Sequence, residues 1–204
     1  MCDEEPLRSI ELGLATMPFP GESVSGDDYI VRPFHNGVLV AVVDGLGHGY
    51  EAARASGIAI AALDTYVHES IVLLVKHCHD ALKGTRGVVM SIAKFNLPDN
   101  TLSWLGIGNI ECVLLRADEK RIPSHERVLL QGGVLGYQLP TLRESTIPVT
   151  QGDTLVFATD GIRSGFEDGL KPGGKPQQIA DSIMAGFSRG TDDALVLVVR
   201  YTCK

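Results

Sequence analysis

Residues 38–49 read VLVAVVDGLGHG and carry the clearest structural signal in the chain. The first six of these residues are all apolar, which predicts a strand whose two faces are both covered by other layers. Asp44 follows, and three glycines lie within the next five residues. Because an unpaired carboxylate at the buried end of a strand is costly, Asp44 needs a partner there. A cation is one candidate, and backbone amides in a strand-to-helix turn are the other.

Strand and helix signals continue on both sides of this stretch. Asn36-Gly37 separates two apolar runs and predicts a hairpin. Two helices together, followed by many strands, favour an α+β layered fold with antiparallel sheets over an alternating nucleotide-binding sheet, in one domain spanning residues 1–204. The predicted strands are 10–16, 29–34, 38–43, 88–96, 101–105, 111–116, 127–130, 145–149, 154–158 and 194–201, and the predicted helices are 51–68, 70–83 and 177–187.

The bulk composition excludes several classes of function. The chain has 204 residues, 44% of them hydrophobic, and a net charge of -7. It has no dense basic run, so neither a nucleic-acid duplex nor an anionic membrane surface is an expected partner. No apolar run approaches the ~20 residues that span a bilayer, and the acidic N-terminus is unlike a secretory signal. The four scattered cysteines are typical of reduced thiols. We therefore expect a cytoplasmic protein, and a monomer.

Four short acidic motifs recur along the chain, at 25–28 (SGDD), 43–49 (VDGLGHG), 158–161 (ATDG) and 190–193 (GTDD). Each places an aspartate where an apolar strand ends or in a turn leading into one. Each alone has an ordinary alternative, a turn in which the aspartate binds backbone amides. Together they favour one shared cation site. Carboxylate oxygens suit Mg²⁺ or Mn²⁺ rather than zinc, so we expect metal-assisted chemistry on a phosphate.

Other reactive residue types are better explained by structure. His77-Cys78-His79 contains metal-ligand types, but adjacent helical residues diverge, so Cys78 is predicted in the core and both histidines on the surface. Trp104 is predicted to pack in the core. His48 is expected near solvent at a helix start, with roles as proton donor or ligand left open. No nucleophile elbow or Walker lysine is present, which favours metal-activated water over a covalent nucleophile.

The four motifs, in this order, resemble those of the type 2C metal-dependent protein serine/threonine phosphatases. The variant at 44–49 resembles the sporulation-and-stress branch, in particular the small feedback phosphatases of the stressosome pathway. The resemblance covers residues 25–200. It implies a four-layer α-β-β-α sandwich of two antiparallel sheets flanked by helices, with a binuclear Mn²⁺ or Mg²⁺ centre at one end. It also implies attack of a metal-bridging hydroxide on phosphorylated stressosome or anti-sigma-antagonist-type proteins.

The same resemblance assigns roles to individual residues. Asp44 would be the catalytic residue that bridges both cations, and the Gly45 carbonyl would bind one of them. The other implied ligands are Asp27 or Asp28, Asp160, and Asp192 or Asp193.

Two departures from the family pattern concern the substrate phosphate. Many relatives carry an arginine shortly before the first motif, but residues 22–24 are Glu-Ser-Val. Arg32, Arg54 and Arg163 are open alternatives for that role. Leu46 stands where relatives have a histidine.

The segment 165–176 corresponds to the place where relatives insert a flap beside the site. It is short and rich in glycine and proline, which predicts an open site suited to a folded protein substrate. Two other functions stay open: a non-catalytic phosphoprotein-binding module and a metal-dependent phosphatase of small molecules.

Overall fold

A computed structural model describes residues 6–118, 120, 122–170 and 173–203. A short 3₁₀ helix, Pro6–Ser9, precedes the first strand. The helices are α1 (Tyr50–Thr65), α2 (Ile71–Ala81) and α3 (Pro176–Phe187). The strands are β1 (Ile10–Met17), β2 (Asp27–Phe34), β3 (Gly37–Gly45), β4 (Val88–Asn96), β5 (Thr101–Ile107), β6 (Glu111–Leu115), β7 (His125–Arg127), β8 (Leu130–Gln131), β9 (Ser145–Pro148), β10 (Thr154–Ala158) and β11 (Ala194–Tyr201).

The strands form two stacked sheets. One has the order β1-β11-β10-β6-β7, and the other has the order β2-β3-β4-β5-β8, with β9 also paired to β5. Helices α1 and α2 cover the second sheet, and α3 covers the first. The predicted four-layer α-β-β-α sandwich is therefore confirmed.

The central strand β3 shows why its sequence is apolar throughout. Val38, Val40 and Val42 belong to the core between the two sheets. The alternate residues of β3 pack beneath α1 and α2. Successive strand residues point to opposite faces, so a strand between two layers needs an apolar residue at every position. Trp104 also lies in the core between the sheets, as predicted.

The prediction of one strand at 127–130 is wrong. The chain instead forms β7 in one sheet and β8 in the other, and Val128 between them is buried in the core. The chain crosses between sheets at this point. Strand β8 consequently runs parallel to β5 over two residue pairs, which departs from the predicted antiparallel sheets.

Small residues position α1 directly beside the end of β3. Ala52, Ala55 and Ala59 are buried against the sheet. A Cβ atom on Gly45 would lie 2.2 Å from the carbonyl oxygen of Ala52, so this position requires glycine. The first turn of α1 is therefore held close to Asp44.

Two further expectations concern membrane-spanning helices and the cysteines. None of the helices in the described residues is long and apolar enough to cross a membrane. Cys78 and Cys112 are buried free thiols, in keeping with the expectation of reduced cysteines. Cys2 lies outside the described residues.

Candidate metal centre

The acidic motifs surround one cavity at an end of the sandwich, with a volume of about 350 Å³. We call it the acidic cavity. The β2–β3 hairpin supplies Asp27 and Asp44, whereas Asp160 follows β10 and the pair 192–193 precedes β11. Both sheets therefore contribute carboxylates to the same space. The other lining residues are Phe19, Leu46, Gly47, His48, Val89, Gly108, Asn109 and Val134.

Asp27 and Asp44 lie directly opposite each other in the β2–β3 ladder. Like charges in this arrangement are destabilising. Burial, reinforced by repulsion from the other aspartates, raises the pKa of Asp44 to about 8 and that of Asp27 to about 7. The Thr159 hydroxyl donates a 2.8 Å hydrogen bond to Asp27, which opposes part of that rise. No described residue compensates Asp44 in this way.

Asp160 is more exposed and has two polar neighbours. Asn109 donates a 2.9 Å hydrogen bond to its carboxylate, and the Arg189 side chain donates one of 2.8 Å to its carbonyl oxygen. Burial and the charge of Asp192 nevertheless raise the pKa of Asp160. Thr159, Asn109 and Arg189 were not identified from the sequence. Each is separated along the chain from the aspartate to which it donates a hydrogen bond, by 132, 51 and 29 residues, and no motif has such a spacing.

The two carboxylates of the fourth motif have different surroundings. Asp193 is buried, and its two oxygens accept the backbone amides of Phe19 and Gly26, at 2.7 and 2.9 Å. It therefore ties the segment before β2 to the start of β11. Asp192 is half-buried and accepts one hydrogen bond, of 2.9 Å, from the adjacent amide of Asp193. Of the two alternatives that the motif leaves open, Asp192 has the freer oxygen atoms.

The alternative of Asp28 in place of Asp27 has less geometric support. Asp28 is the next residue along β2, opposite Val43, and it does not line the acidic cavity. Adjacent strand residues point to opposite faces, so only one of the two can face the cavity. That residue is Asp27.

Glycines allow the four acidic motifs to approach one another closely. A Cβ atom on Gly161 would lie 2.0 Å from the Asp193 carbonyl oxygen. A Cβ atom on Gly26 would lie 3.1 Å from an Asp193 carboxylate oxygen and 3.3 Å from the Gly45 carbonyl oxygen. The Gly45 carbonyl thus lies among the acidic motifs, although the missing side chain of Gly45 itself makes room for α1.

His48 lines the acidic cavity from its rim. Its ring stacks on Phe19 with centroids 4.3 Å apart, and its Nδ1 lies 3.2 Å from Glu22. The side chain is about half exposed and precedes α1, in line with the expected position near solvent. Its two other interpretations, proton donor and ligand, stay open.

The three arginines considered for the substrate phosphate are engaged elsewhere. Arg32 pairs with Asp64, Arg54 lies 3.8 Å from Glu51, and Arg163 donates to the carbonyl of Gly186. None of the three lines the acidic cavity.

The histidines of the 77–79 segment are also separate from the acidic cavity. Cys78 is buried, as predicted. Both histidines are less exposed than the predicted surface position implies, because both are half-buried. His77 stacks on Tyr66 with centroids 3.8 Å apart, and Nδ1 of His79 accepts the Gly136 amide at 3.1 Å. Both rings lie at the edge of the helix face that contacts neighbouring segments.

Only part of the 165–176 segment can be compared with the flap prediction, since residues 171 and 172 lie outside the described residues. Phe166 is buried in the cluster beneath α3, and Glu167 forms an ion pair with Arg127. The start of the segment therefore packs on the body of the protein. That the short flap leaves an open site stays a prediction.

The chemistry of the acidic cavity fits a hard divalent cation. Its charged donors are carboxylates, the ligands preferred by Mg²⁺ and Mn²⁺. Within the described ranges, no three His, Cys, Asp or Glu side chains converge closely enough to form a ready-made cage. The volume of about 350 Å³ corresponds to roughly ten waters. Cations held here would retain water ligands, as Mg²⁺ commonly does in proteins.

Residues 35–202 match the family model of Stage II sporulation protein E (SpoIIE), so the chain belongs to the SpoIIE family. A curated relative is the phosphoserine phosphatase RsbX of Bacillus subtilis (strain 168), 26% identical over 176 residues that make up 85% of each chain. The resemblance predicted from the acidic motifs is therefore confirmed, including its branch.

Two solved structures share the fold over nearly the full length. One is described as "The bacterial stressosome: a modular system that has been adapted to control secondary messenger signaling". It is 29% identical, with a TM-score of 0.84, and the match covers 94% of this chain and 99% of that one. The other is RsbX in complex with magnesium, 22% identical, with a TM-score of 0.84 and coverage of 95% and 96%.

Proposed function

We propose that this chain is a divalent-metal-dependent phosphoserine/phosphothreonine protein phosphatase consisting of one catalytic domain. The observation that carries the proposal is the set of aspartates that both sheets deliver to one cavity, none of which forms an ion pair with a described residue, with Asp27 opposite Asp44 in the ladder. Perturbed carboxylates that share a cleft are typical of functional sites. The phosphoserine phosphatase activity named for RsbX supports the same reaction.

We assign the ligands of a binuclear Mn²⁺ or Mg²⁺ centre from this geometry and from the family resemblance. Asp44 is repelled by carboxylates from both sheets, Asp27 and Asp160 among them, and would contact both cations. The Gly45 carbonyl and Asp27 would complete the site on the hairpin side. Asp160 and Asp192 would act from the other sheet, and Asp193 would hold the two sides together through its amide contacts.

Divalent cations bound here would supply Lewis-acid activation of water and neutralise charge on the phosphoryl group. The described residues around the ligands would set their orientation. Thr159 fixes Asp27 and Asn109 fixes Asp160 through hydrogen bonds to the carboxylates. Such outer partners commonly affect metal affinity by about 10- to 100-fold.

We further propose a cytoplasmic location and phosphorylated stressosome or anti-sigma-antagonist-type proteins as substrates. The support is the relation to RsbX and to the stressosome-related structure. A short flap and the absence of an arginine before the first motif imply weak recognition of phosphate alone. Binding energy would then come from protein contacts away from phosphorus.

The first experiment measures hydrolysis of p-nitrophenyl phosphate while Mn²⁺ or Mg²⁺ is titrated into metal-free protein. We expect saturable activity that EDTA abolishes. Asp27→Ala should lower this activity. Asp28→Ala is its matched control, because the two residues are neighbours but face opposite sides of β2. The absence of hydrolysis at every metal concentration, with phosphoprotein binding retained, would favour a non-catalytic binding module.

The second experiment compares kcat/KM on an intact phosphoserine stressosome protein and on a short peptide with the same phosphoserine. A higher value on the protein is expected, because contacts remote from phosphorus position the phosphoryl group. Equal values would contradict the open-site prediction. Faster hydrolysis of sugar phosphates than of either substrate would favour a small-molecule phosphatase.

A further inference from the structure

A second concave surface adjoins the acidic cavity. It is a groove of about 510 Å³, and Leu46 and Val134 line both the groove and the cavity. Its size lies within the range of pockets that hold a ligand or a few residues of a peptide. We call it the Tyr137 groove; its lining residues are Leu46, Arg86, Gly133, Val134, Tyr137 and Gln138.

The apolar side chains of the Tyr137 groove face solvent. Tyr137 is 68% exposed and Leu46 is 37% exposed. Exposed apolar residues gathered beside a polar site are typical of interaction surfaces, where tyrosine is enriched. A polypeptide that enters the acidic cavity must pass over one of its edges, and this edge offers apolar contact.

Arg86 lies at the boundary between the groove and the acidic cavity. Its Nη1 lies 2.7 Å from the position of a Cβ atom on Gly47, a residue that lines the cavity. Arg86 forms no ion pair or hydrogen bond with any of the described residues. In a chain with a net charge of -7, an uncompensated guanidinium here is a local site for an anionic group. Arginine binds carboxylates with two parallel hydrogen bonds.

The floor of the groove is held in place before any partner binds. Leu135 and Val88 exchange two backbone hydrogen bonds, of 3.2 and 2.9 Å, so the segment 133–138 is fixed to β4. The amide of Gly136 donates to His79 on α2. A surface that is already ordered loses less conformational entropy when a partner binds.

We propose that the Tyr137 groove docks the polypeptide segment that flanks the phosphoserine of the substrate. It selects an apolar side chain, which packs against Leu46 and Tyr137, and an acidic side chain, which pairs with Arg86. This inference rests on the proposed phosphatase function, and it names the surface by which that site recognises its substrate.

The test uses phosphoserine pentapeptides that differ only in their flanking residues. In the first, a glutamate lies directly on each side of the phosphoserine, and a leucine lies at each end of the peptide. In the second, lysine replaces glutamate, and in the third, glycine replaces leucine. We expect kcat/KM to be about fivefold higher for the first peptide than for either of the others, the size of an exposed ion pair or a small apolar contact.

Two variants separate the two parts of the groove. Arg86→Glu should reverse the preference for glutamate over lysine, and Tyr137→Ser should remove the preference for leucine over glycine. Both residues are exposed, so the fold should persist, which thermal unfolding checks. Lys76→Glu makes the same charge change on the exposed side of α2 and should leave both preferences intact.

Hydrolysis of p-nitrophenyl phosphate distinguishes the remaining outcomes. It should be unchanged in Arg86→Glu and Tyr137→Ser, because this substrate has no flanking segment. An equal loss on p-nitrophenyl phosphate in Arg86→Glu would place Arg86 on the phosphoryl group and overturn the docking proposal. Unchanged peptide preferences in both variants would also overturn it. An inactive wild-type enzyme at saturating metal would instead overturn the proposed function.

Discussion

Two buried clusters of charge among the described residues differ in composition, because an arginine pairs with carboxylates in one and aspartates face each other in the other. Arg116 is almost fully buried and pairs with Glu126 and with Asp153, the latter at 2.7 Å. Asp153 also accepts two backbone amides. In the acidic cavity, by contrast, Asp27 and Asp44 face each other, and no cationic side chain among the described residues pairs with either. The Arg116 cluster is therefore a structural ion-pair network, whereas the negative charge of the acidic cavity would be balanced by a bound cation.

The largest expected effect is that of Asp44→Ala. We expect loss of phosphatase activity with the fold retained, because Asp44 is the residue proposed to touch both cations. Stability of the metal-free protein should be unchanged or higher, since a repelling carboxylate is removed. Activity is measured at saturating Mn²⁺ and unfolding in EDTA with urea. Full activity in the variant would exclude the binuclear assignment.

Arg116→Ala should have the opposite effect on stability. Removal of the cation leaves Asp153 buried without its partner, which commonly costs about 3–5 kcal/mol. The free energy of unfolding in urea measures the loss. Arg54→Ala, at an exposed arginine 3.8 Å from Glu51, is the control and should change stability little. A small effect at Arg116 would mean that the buried network is not the stabilising element described above.

Single carboxylates of the acidic cavity should differ sharply from the histidines of α2 in their effect on metal binding. Asp160→Asn and Asp192→Asn should each weaken Mn²⁺ affinity by about 100-fold or more, beyond the usual effect of an outer partner. His77→Ala and His79→Ala should leave metal binding unchanged. Isothermal titration of Mn²⁺ provides the measurement. Loss of bound metal in a histidine variant would show that the site has been misplaced.

The most gradual expected effect, spread over several pH units, is on the stability of the metal-free protein. The folded pKa values of Asp44 and Asp27, about 8 and 7, lie above the ordinary value of 3.8. Between pH 4 and 8 the native state therefore holds more protons than the unfolded state, and stability falls as pH rises. The slope is at most about 1.4 kcal/mol per pH unit for each carboxyl.

Urea unfolding in EDTA across this pH range tests the prediction. Asp44→Asn should flatten the decline, because one of the two titrating groups is gone. Saturating Mn²⁺ should reduce it as well, since a cation stabilises the ionised carboxylates. Stability that rises with pH in the metal-free protein would contradict the pKa directions given above.

Local patterns were sufficient for most of the architecture. The continuous apolar run at 38–43 predicted a strand between two layers, and the Asn-Gly pair predicted its hairpin with β2. The spacing of hydrophobic residues reflects which face of a single strand or helix is buried, so it predicts the positions of such elements well. It failed at 127–130, where the same apolar residues serve a crossing between two sheets rather than one strand.

Each of the four acidic motifs has a recognisable local form, so local sequence was enough to identify the carboxylates that could meet. Tertiary structure decided how they are used. Asp192 and Asp193 are equivalent in the motif, and they differ because Asp193 accepts the amide of Gly26, 167 residues away. Arg86 and Tyr137 likewise share a groove that no sequence spacing indicates. Motifs record local chemistry, whereas orientation, burial and neighbours are set by contacts between distant segments.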